Sequence, residues 1–165
     1  MLDMARAREV FEASQDFTVG IEEEFAIIDP ATRSLAHRFA ELSAAAREDE
    51  LLAASVAGEL IESEIEIRSG RGTSFGDACA RQREARARLF ELAERHDALL
   101  AATGTHPWST WQEQRIIDTE HYRRVEDGLQ YVARRNNTFS LHVHIGVRGA
   151  DRAIAVCDRL RPVLP

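Results

Sequence analysis

The chain has 165 residues, 44% of them hydrophobic and 30% charged, enough for one domain with a real core and too few for two comfortable ones. A net charge of −7 argues against nucleic acid as the main partner, and no apolar run approaches the roughly 20 residues a membrane helix needs. All 21 basic residues are arginines, which excludes a P-loop lysine and a Schiff-base lysine within this chain. Anions must therefore be handled by arginine forks, histidines, backbone amides or a metal ion.

The N-terminal stretch MLDMARAREVFEASQDF is a mixed-charge helical pattern without the apolar core of a signal peptide, so the expected location is the cytoplasm. Alternation over FTVGIEEEFAIID predicts a strand from Phe17 to Asp29, closed by the turn Asp29-Pro30. An Ala-, Leu-, Glu- and Arg-rich region from about Ala36 to Ala57 predicts helix. A second strand is expected over Glu59 to Ser69, and Gly70-Arg71-Gly72 then leads to Thr73 and Ser74 as caps of a long helix. Ala78, Ala85, Leu89, Leu92, His96 and Leu99 recur at helical spacing along it, with a stop near Gly104. Pro107 biases His106 away from helix, so GTHPW is read as extended. A helix over Glu120 to Arg135, a strand over Phe139 to Val147 and a helix over Ala150 to Leu160 complete the chain. Cys79 and Cys157 lie in helical patterns without CxxC spacing and read as small buried side chains of a reducing compartment.

Long helices alternate with strands of one-sided polarity, a pattern that favours an α+β fold with an antiparallel sheet and helices packed on one face. Strand side chains alternate faces with a period of two. That parity sets Val19, Ile21, Phe25 and Ile27 against Gly20, Glu22 and Glu24 in the first strand. It sets Ile61, Ile65 and Ile67 against Glu62, Glu64, Glu66 and Arg68 in the second. In the third, Leu141, Val143 and Ile145 oppose Ser140, His142 and His144. Glu23 breaks the parity, which places it near a strand end or in a pair with an arginine. Opposed like charges on neighbouring strands are destabilising, so the shared acidic face needs a cation that Arg68 alone does not supply. Clustered carboxylates with a neutral imidazole suit Mg²⁺ or Mn²⁺ better than zinc, which recruits more His or Cys.

Taken in series, GIEEEF, ELIESEIEIRSG, GTHPW, HYRRVEDGLQYVARRN and SLHVHIGV resemble the carboxylate-amine ligases related to glutamate–cysteine ligase, the bacterial type 2 group, over about Phe17 to Pro165. The resemblance implies a glutamine synthetase-like, guanido kinase-like fold whose antiparallel sheet floors an active site. It implies an ATP-dependent reaction in which a phosphorylated carboxylate, glutamate favoured, is captured by an amine, cysteine favoured. By the same resemblance Glu22, Glu24, Glu66 and His142 would bind Mg²⁺ (or Mn²⁺). Glu64, Arg68, His106, Tyr122, Arg123 and His144 would lie toward substrate or nucleotide. Family members are longer, so residues 1–165 are expected to form a single domain that is the N-terminal half of such an enzyme, incomplete alone. The exposed sheet edge left by an absent half is expected to favour a homo-oligomer. Two other readings remain: a metal-dependent hydrolase using the strand-borne His142–His144 pair, and a non-catalytic half domain.

Overall fold

The computed structural model of the chain describes residues 3–164; Met1, Leu2 and Pro165, which the expected domain also includes, lie outside the described residues. The chain begins with helix α1 (Met4–Ala13), capped by the Asp3 carboxylate, which accepts a hydrogen bond from the Arg6 amide. Strand β1 (Val19–Ile28) follows, then two short helices, α2 (Phe39–Ala46) and α3 (Glu50–Ser55). Asp49 caps α3 by accepting from the Leu51 and Leu52 amides, which is why the expected single helix over this region divides. A two-residue strand, β2 (Val56–Ala57), leads to β3 (Glu64–Arg68). Helix α4 (Phe75–Arg95) starts where the Ser74 hydroxyl accepts from the Asp77 amide.

Alternation did not reveal strand β4 (Leu99–Ala101), which continues the apolar pattern of α4 after the helix has ended. The backbone reverses at Asp97 (φ 49°), so Leu99 belongs to the sheet and not to the helix. Helices α5 (Glu120–Leu129) and α6 (Tyr131–Arg134) share the segment expected to be one helix; Gln130, at φ 49°, breaks it. Strand β5 (Leu141–Ile145) and helix α7 (Ala150–Leu160) complete the fold.

The five strands form one sheet, entirely antiparallel in its pairings, in the order β2-β3-β1-β4, with β5 also hydrogen-bonded to β1. The α+β antiparallel architecture expected from sequence is thus the observed one. Strand β1 is central: β3 lies along one side of it, while β5 pairs with Val19 to Glu23 and β4 with Ala26 to Ile28 on the other. The face bearing Phe25, Ile27, Ile65 and Ile67 packs on Leu42 of α2, Leu52 of α3 and Ala85, Leu89 and Leu92 of α4. Burying such side chains stabilises the fold by about 1.5–3 kcal/mol each. Glu23 shares this face and is held by Arg86 of α4 (Nη1 to Oε1, 2.6 Å), with the Gln82 amide donating to its other oxygen. The pairing with an arginine is therefore the correct explanation of the broken parity.

On the opposite face, Ala26 and Ile28 pack with Leu60, Ile61 and Phe139 beneath Tyr122 and Val125 of α5. Ile61 does not join Ile65 and Ile67, because the chain turns at Glu62 and Ser63 and reverses the parity. The apolar face of β5 also departs from expectation: Leu141, Val143 and Ile145 are exposed. Cys157 is exposed and Cys79 half-buried, so only the latter approaches the expected interior position. Among the described residues, no helix is long and apolar enough to cross a membrane.

Candidate active site

The sheet face away from α4 collects the acidic residues. The register sets Glu22 opposite Arg68, Glu24 opposite Glu66 and Ala26 opposite Glu64 across the β1–β3 pair. On the other flank, His142 lies opposite Glu22 and His144 opposite Gly20. Parity therefore brings Glu22, Glu24, Glu64, Glu66, Arg68, His142 and His144 to one face of three adjoining strands.

The contacts show how the protein tolerates this density of charge. His144 Nε2 lies 2.9 Å from Glu22, and His142 Nδ1 lies 3.6 Å from Glu22 and 3.8 Å from Glu24. Arg68 is bonded to Glu66 and stands 3.5 Å from Glu22. Glu24 accepts a 2.7 Å bond from the Ser140 amide, which ties its carboxylate to the approach of β5. The Ser140 hydroxyl in turn lies 3.1 Å from His142 Nε2 and orients that ring.

Burial and charge shift these groups in opposite directions. Burial alone would raise Glu22, but the bond from His144, with Arg68 and His142 nearby, holds it below the ordinary carboxylate value. Glu66 is buried, and desolvation keeps it above the ordinary value despite Arg68. Glu64 is pushed up to about 9, first by burial and then by the charge and hydrogen bond of Glu24. One of its oxygens, Oε1, is buried with no hydrogen-bond partner. A buried carboxyl with an orphaned oxygen among other carboxylates is the signature of a place that a cation would stabilise.

Glu59 joins this group although sequence parity left it out. Burial, followed by the charge of Glu24, raises it, and Glu22, Arg68 and His142 also act on it. The chain turns at Glu62 and Ser63, and Glu59 before the turn comes under the charges of the acidic face. Tyr122 approaches the cluster from α5: its hydroxyl donates to the Gly58 carbonyl at 3.0 Å, and burial plus Glu59 and Glu66 push it up to about 12.

Two candidates lie elsewhere. His106 has both ring nitrogens engaged with backbone: Nε2 donates to the Arg33 carbonyl, and Nδ1 accepts from the Trp108 and Ser109 amides. It braces GTHPW against the turn after β1. Arg123 is exposed and paired with Asp118 at 2.8 Å. Neither contacts the acidic cluster through these bonds.

No three of the His, Cys, Asp and Glu side chains among the described residues are already arranged as an ion cage. The donor set itself, carboxylates with one or two imidazoles, still fits a hard divalent ion, and the unpartnered Glu64 oxygen supports that fit.

The fold and site together define an α+β protein whose antiparallel sheet carries carboxylates and imidazoles on one open face. The profile of glutamate-cysteine ligase family 2 matches residues 18–165, and the chain belongs to that family. Three similar proteins are named "Putative glutamate--cysteine ligase 2", or a numbered form of it. The one from Sorangium cellulosum is 40% identical over 149 residues, covering 90% of this chain and 40% of its own length. The one from Solibacter usitatus is also 40% identical, over 90% of this chain and 38% of its own length. A protein from Rubrobacter xylanophilus is 37% identical over 94% of this chain and 42% of its own. The chain thus spans about two fifths of the length of these relatives. Membership in a ligase family agrees with the resemblance that the five sequence motifs carry.

Proposed function

We propose that this chain supplies the acidic wall of an ATP- and Mg²⁺-dependent carboxylate-amine ligase of the cytoplasm. Such an enzyme phosphorylates an amino-acid carboxylate, glutamate favoured, and an amine, cysteine favoured, then displaces phosphate to form an amide. The observation that carries this reading is the convergence of Glu22, Glu24, Glu59, Glu64 and Glu66 with His142 on one sheet face, which also holds the orphaned Glu64 oxygen.

Glu22, Glu24, Glu66 and His142 would hold Mg²⁺ or Mn²⁺. Bound there, the ion would offset the charge of the transferring phosphoryl group, the main requirement of such chemistry. His144 fixes Glu22 through their 2.9 Å bond and keeps it ionised, ready to ligate. Arg68 neutralises Glu66 and is positioned to exchange that carboxylate for an incoming anion. Ser140 orients both Glu24 and His142. No protein nucleophile is needed, and none of these side chains is arranged as one.

The test is a coupled assay of ADP release by the full polypeptide, with glutamate, a panel of amines and Mg²⁺. Metal-dependent ADP release that Glu66→Gln reduces by roughly 100-fold or more is expected from loss of a charge-stabilising ligand. Absence of metal-dependent release with every amine would refute the reading. Tight zinc binding with hydrolysis of an amide would place the His142–His144 pair in a hydrolase instead.

A further inference from the structure

Beside the acidic cluster, a cleft of 330 Å³ opens over Gly20 and reaches from Glu22 and His144 to Arg68 and Arg71. It is continuous with the proposed metal face through Glu22 and His144, yet the residues of its far wall have no part in ion binding. Three observations about that wall belong together.

The first concerns Arg71. Arg68 already pairs with Glu66 and Glu22, whereas Arg71 forms no ion pair among the described residues and is exposed to the cleft. The second is that the backbone carrying Arg71 is pinned on both sides. Ser69 donates its amide to the Ile21 carbonyl and accepts the Ile21 amide on its hydroxyl, each at 2.9 Å. Gly72 exchanges two backbone bonds with Val19, at 2.7 and 3.0 Å. Gly70, between them, adopts φ +67°, the left-handed turn that glycine accepts without strain. Gly72 also packs on α4 so closely that a Cβ there would lie 2.9 Å from the Ala78 amide nitrogen. An unpaired guanidinium is thus presented from a loop that is fixed to β1, not from a free one.

The third is the floor. Gly20 sits inside β1, where glycine weakens a strand, and its conformation does not call for glycine. Nor does crowding call for it: a Cβ would stand 3.6 Å from His144 Cβ and 3.7 Å from the Gly70 carbonyl oxygen, ordinary contacts. What the missing side chain leaves is room for a ligand atom on the cleft floor, beside an arginine that forms no ion pair among the described residues.

We infer that this cleft is an anion subsite, in which Arg71 binds a substrate carboxylate or phosphate while the reacting group lies over the acidic cluster. The inference rests on the ligase reading for the identity of the reacting group, and it makes Arg71 a specificity residue. For an amino-acid donor, the second carboxylate would pair with Arg71 across the bare floor of Gly20. For a nucleotide, a phosphate would do so.

The experiment is a calorimetric titration of the full polypeptide with L-glutamate and, separately, with inorganic phosphate, alongside assays of KM for the carboxylate substrate and for ATP. Arg71→Gln is expected to weaken one of the two anions by roughly 10- to 100-fold, as for loss of a hydrogen-bonded charge, and to raise the matching KM with kcat little changed. Arg71→Lys should restore part of the loss, and Gly20→Ala should weaken the same anion while the thermal transition stays in place. Loss of glutamate binding marks the subsite as one for carboxylate, and loss of phosphate binding marks it as one for phosphate. Wild-type affinity of Arg71→Gln for both anions, or no binding of either by the wild type, overturns the subsite. A wild type that binds one of these anions through Arg71 yet forms no amide leaves the subsite standing and refutes the ligase reading. Amide formation in which Arg71→Gln leaves both KM values untouched does the reverse.

Discussion

Replacing Glu64 with glutamine tests the electrostatics of the acidic face without removing volume. Glu64 is 3% exposed and stands near pKa 9, while its ordinary value in an unfolded chain is 4.5. Between those values the folded protein holds a proton that the unfolded chain releases. The associated stability is complete below pH 4.5 and is lost as pH rises through 9. At pH 7 the unfolded chain gains the ionisation of this group while the folded chain forgoes it, which costs the fold about 3 kcal/mol. Glutamine has nothing to ionise and escapes that cost. Urea unfolding in EDTA should therefore show Glu64→Gln gaining about 3 kcal/mol on the wild type between about pH 5.5 and about pH 8. Adding Mg²⁺ should shrink that gain, because a bound cation favours the ionised carboxyl. A stability difference that does not change with pH would show that Glu64 is ionised in the fold and would refute the argument.

Arg86 neutralises Glu23 and lies over the rings of Phe25 and Phe90, at 5.3 and 5.4 Å from their centroids. Arg86→Ala should cost about 2–4 kcal/mol in denaturant unfolding, and the double variant with Glu23→Gln should cost less than the two single losses combined. A Cβ on Gly146 would fall 2.2 Å from both the Gln15 carbonyl oxygen and Thr18 Oγ1, so Gly146→Ala should lower stability by about 1–3 kcal/mol. A Tm equal to wild type would contradict the close approach. Among the described residues strand β5 pairs with β1 alone and leaves its apolar face exposed, so light scattering on the 165-residue chain should show concentration-dependent association. A monomer at all concentrations would count against it.

Alternation alone placed Glu22, Glu24, Glu64, Glu66, His142 and His144 on the polar sides of their strands, because a period of two is a local property. Register is not local, and only the structure reveals that Glu24 stands opposite Glu66 while His142 stands opposite Glu22. Glu59 was invisible because the turn at Glu62 and Ser63 breaks the parity on which the argument depended. Strand β4 was hidden by the apolar rhythm of the helix before it, which Leu99 continues after the backbone has reversed at Asp97. His106 and Arg123 belong to motifs that resemble the family, but motif order cannot show that one is engaged by backbone groups and the other by Asp118. The exposed face of β5 has the same origin: a strand's sequence declares an apolar side without declaring what covers it.

Glu23, the residue that spoiled the alternation, is the middle acid of a run of three that faces the single guanidinium of Arg86, and this bears on how β1 keeps its alignment. Sliding the strand by one residue would exchange its faces, sending Glu22 and Glu24 into the core beside Ile65 and Ile67 and lifting Phe25 toward water. Because β1 borders β3, β4 and β5, the error would spread to all three pairings at once. It would bring Glu22 or Glu24 to Arg86 in place of Glu23 and bury the other at the position of Ile21 or Phe25 with no cation to pair it. A purely apolar face would resist the slip by hydrophobic contrast alone. Arg86 pairs one acid of a run of three, so the native register keeps Glu23 paired on the helix side with Glu22 and Glu24 on the open face, and any one-residue slip buries a second carboxylate unpaired.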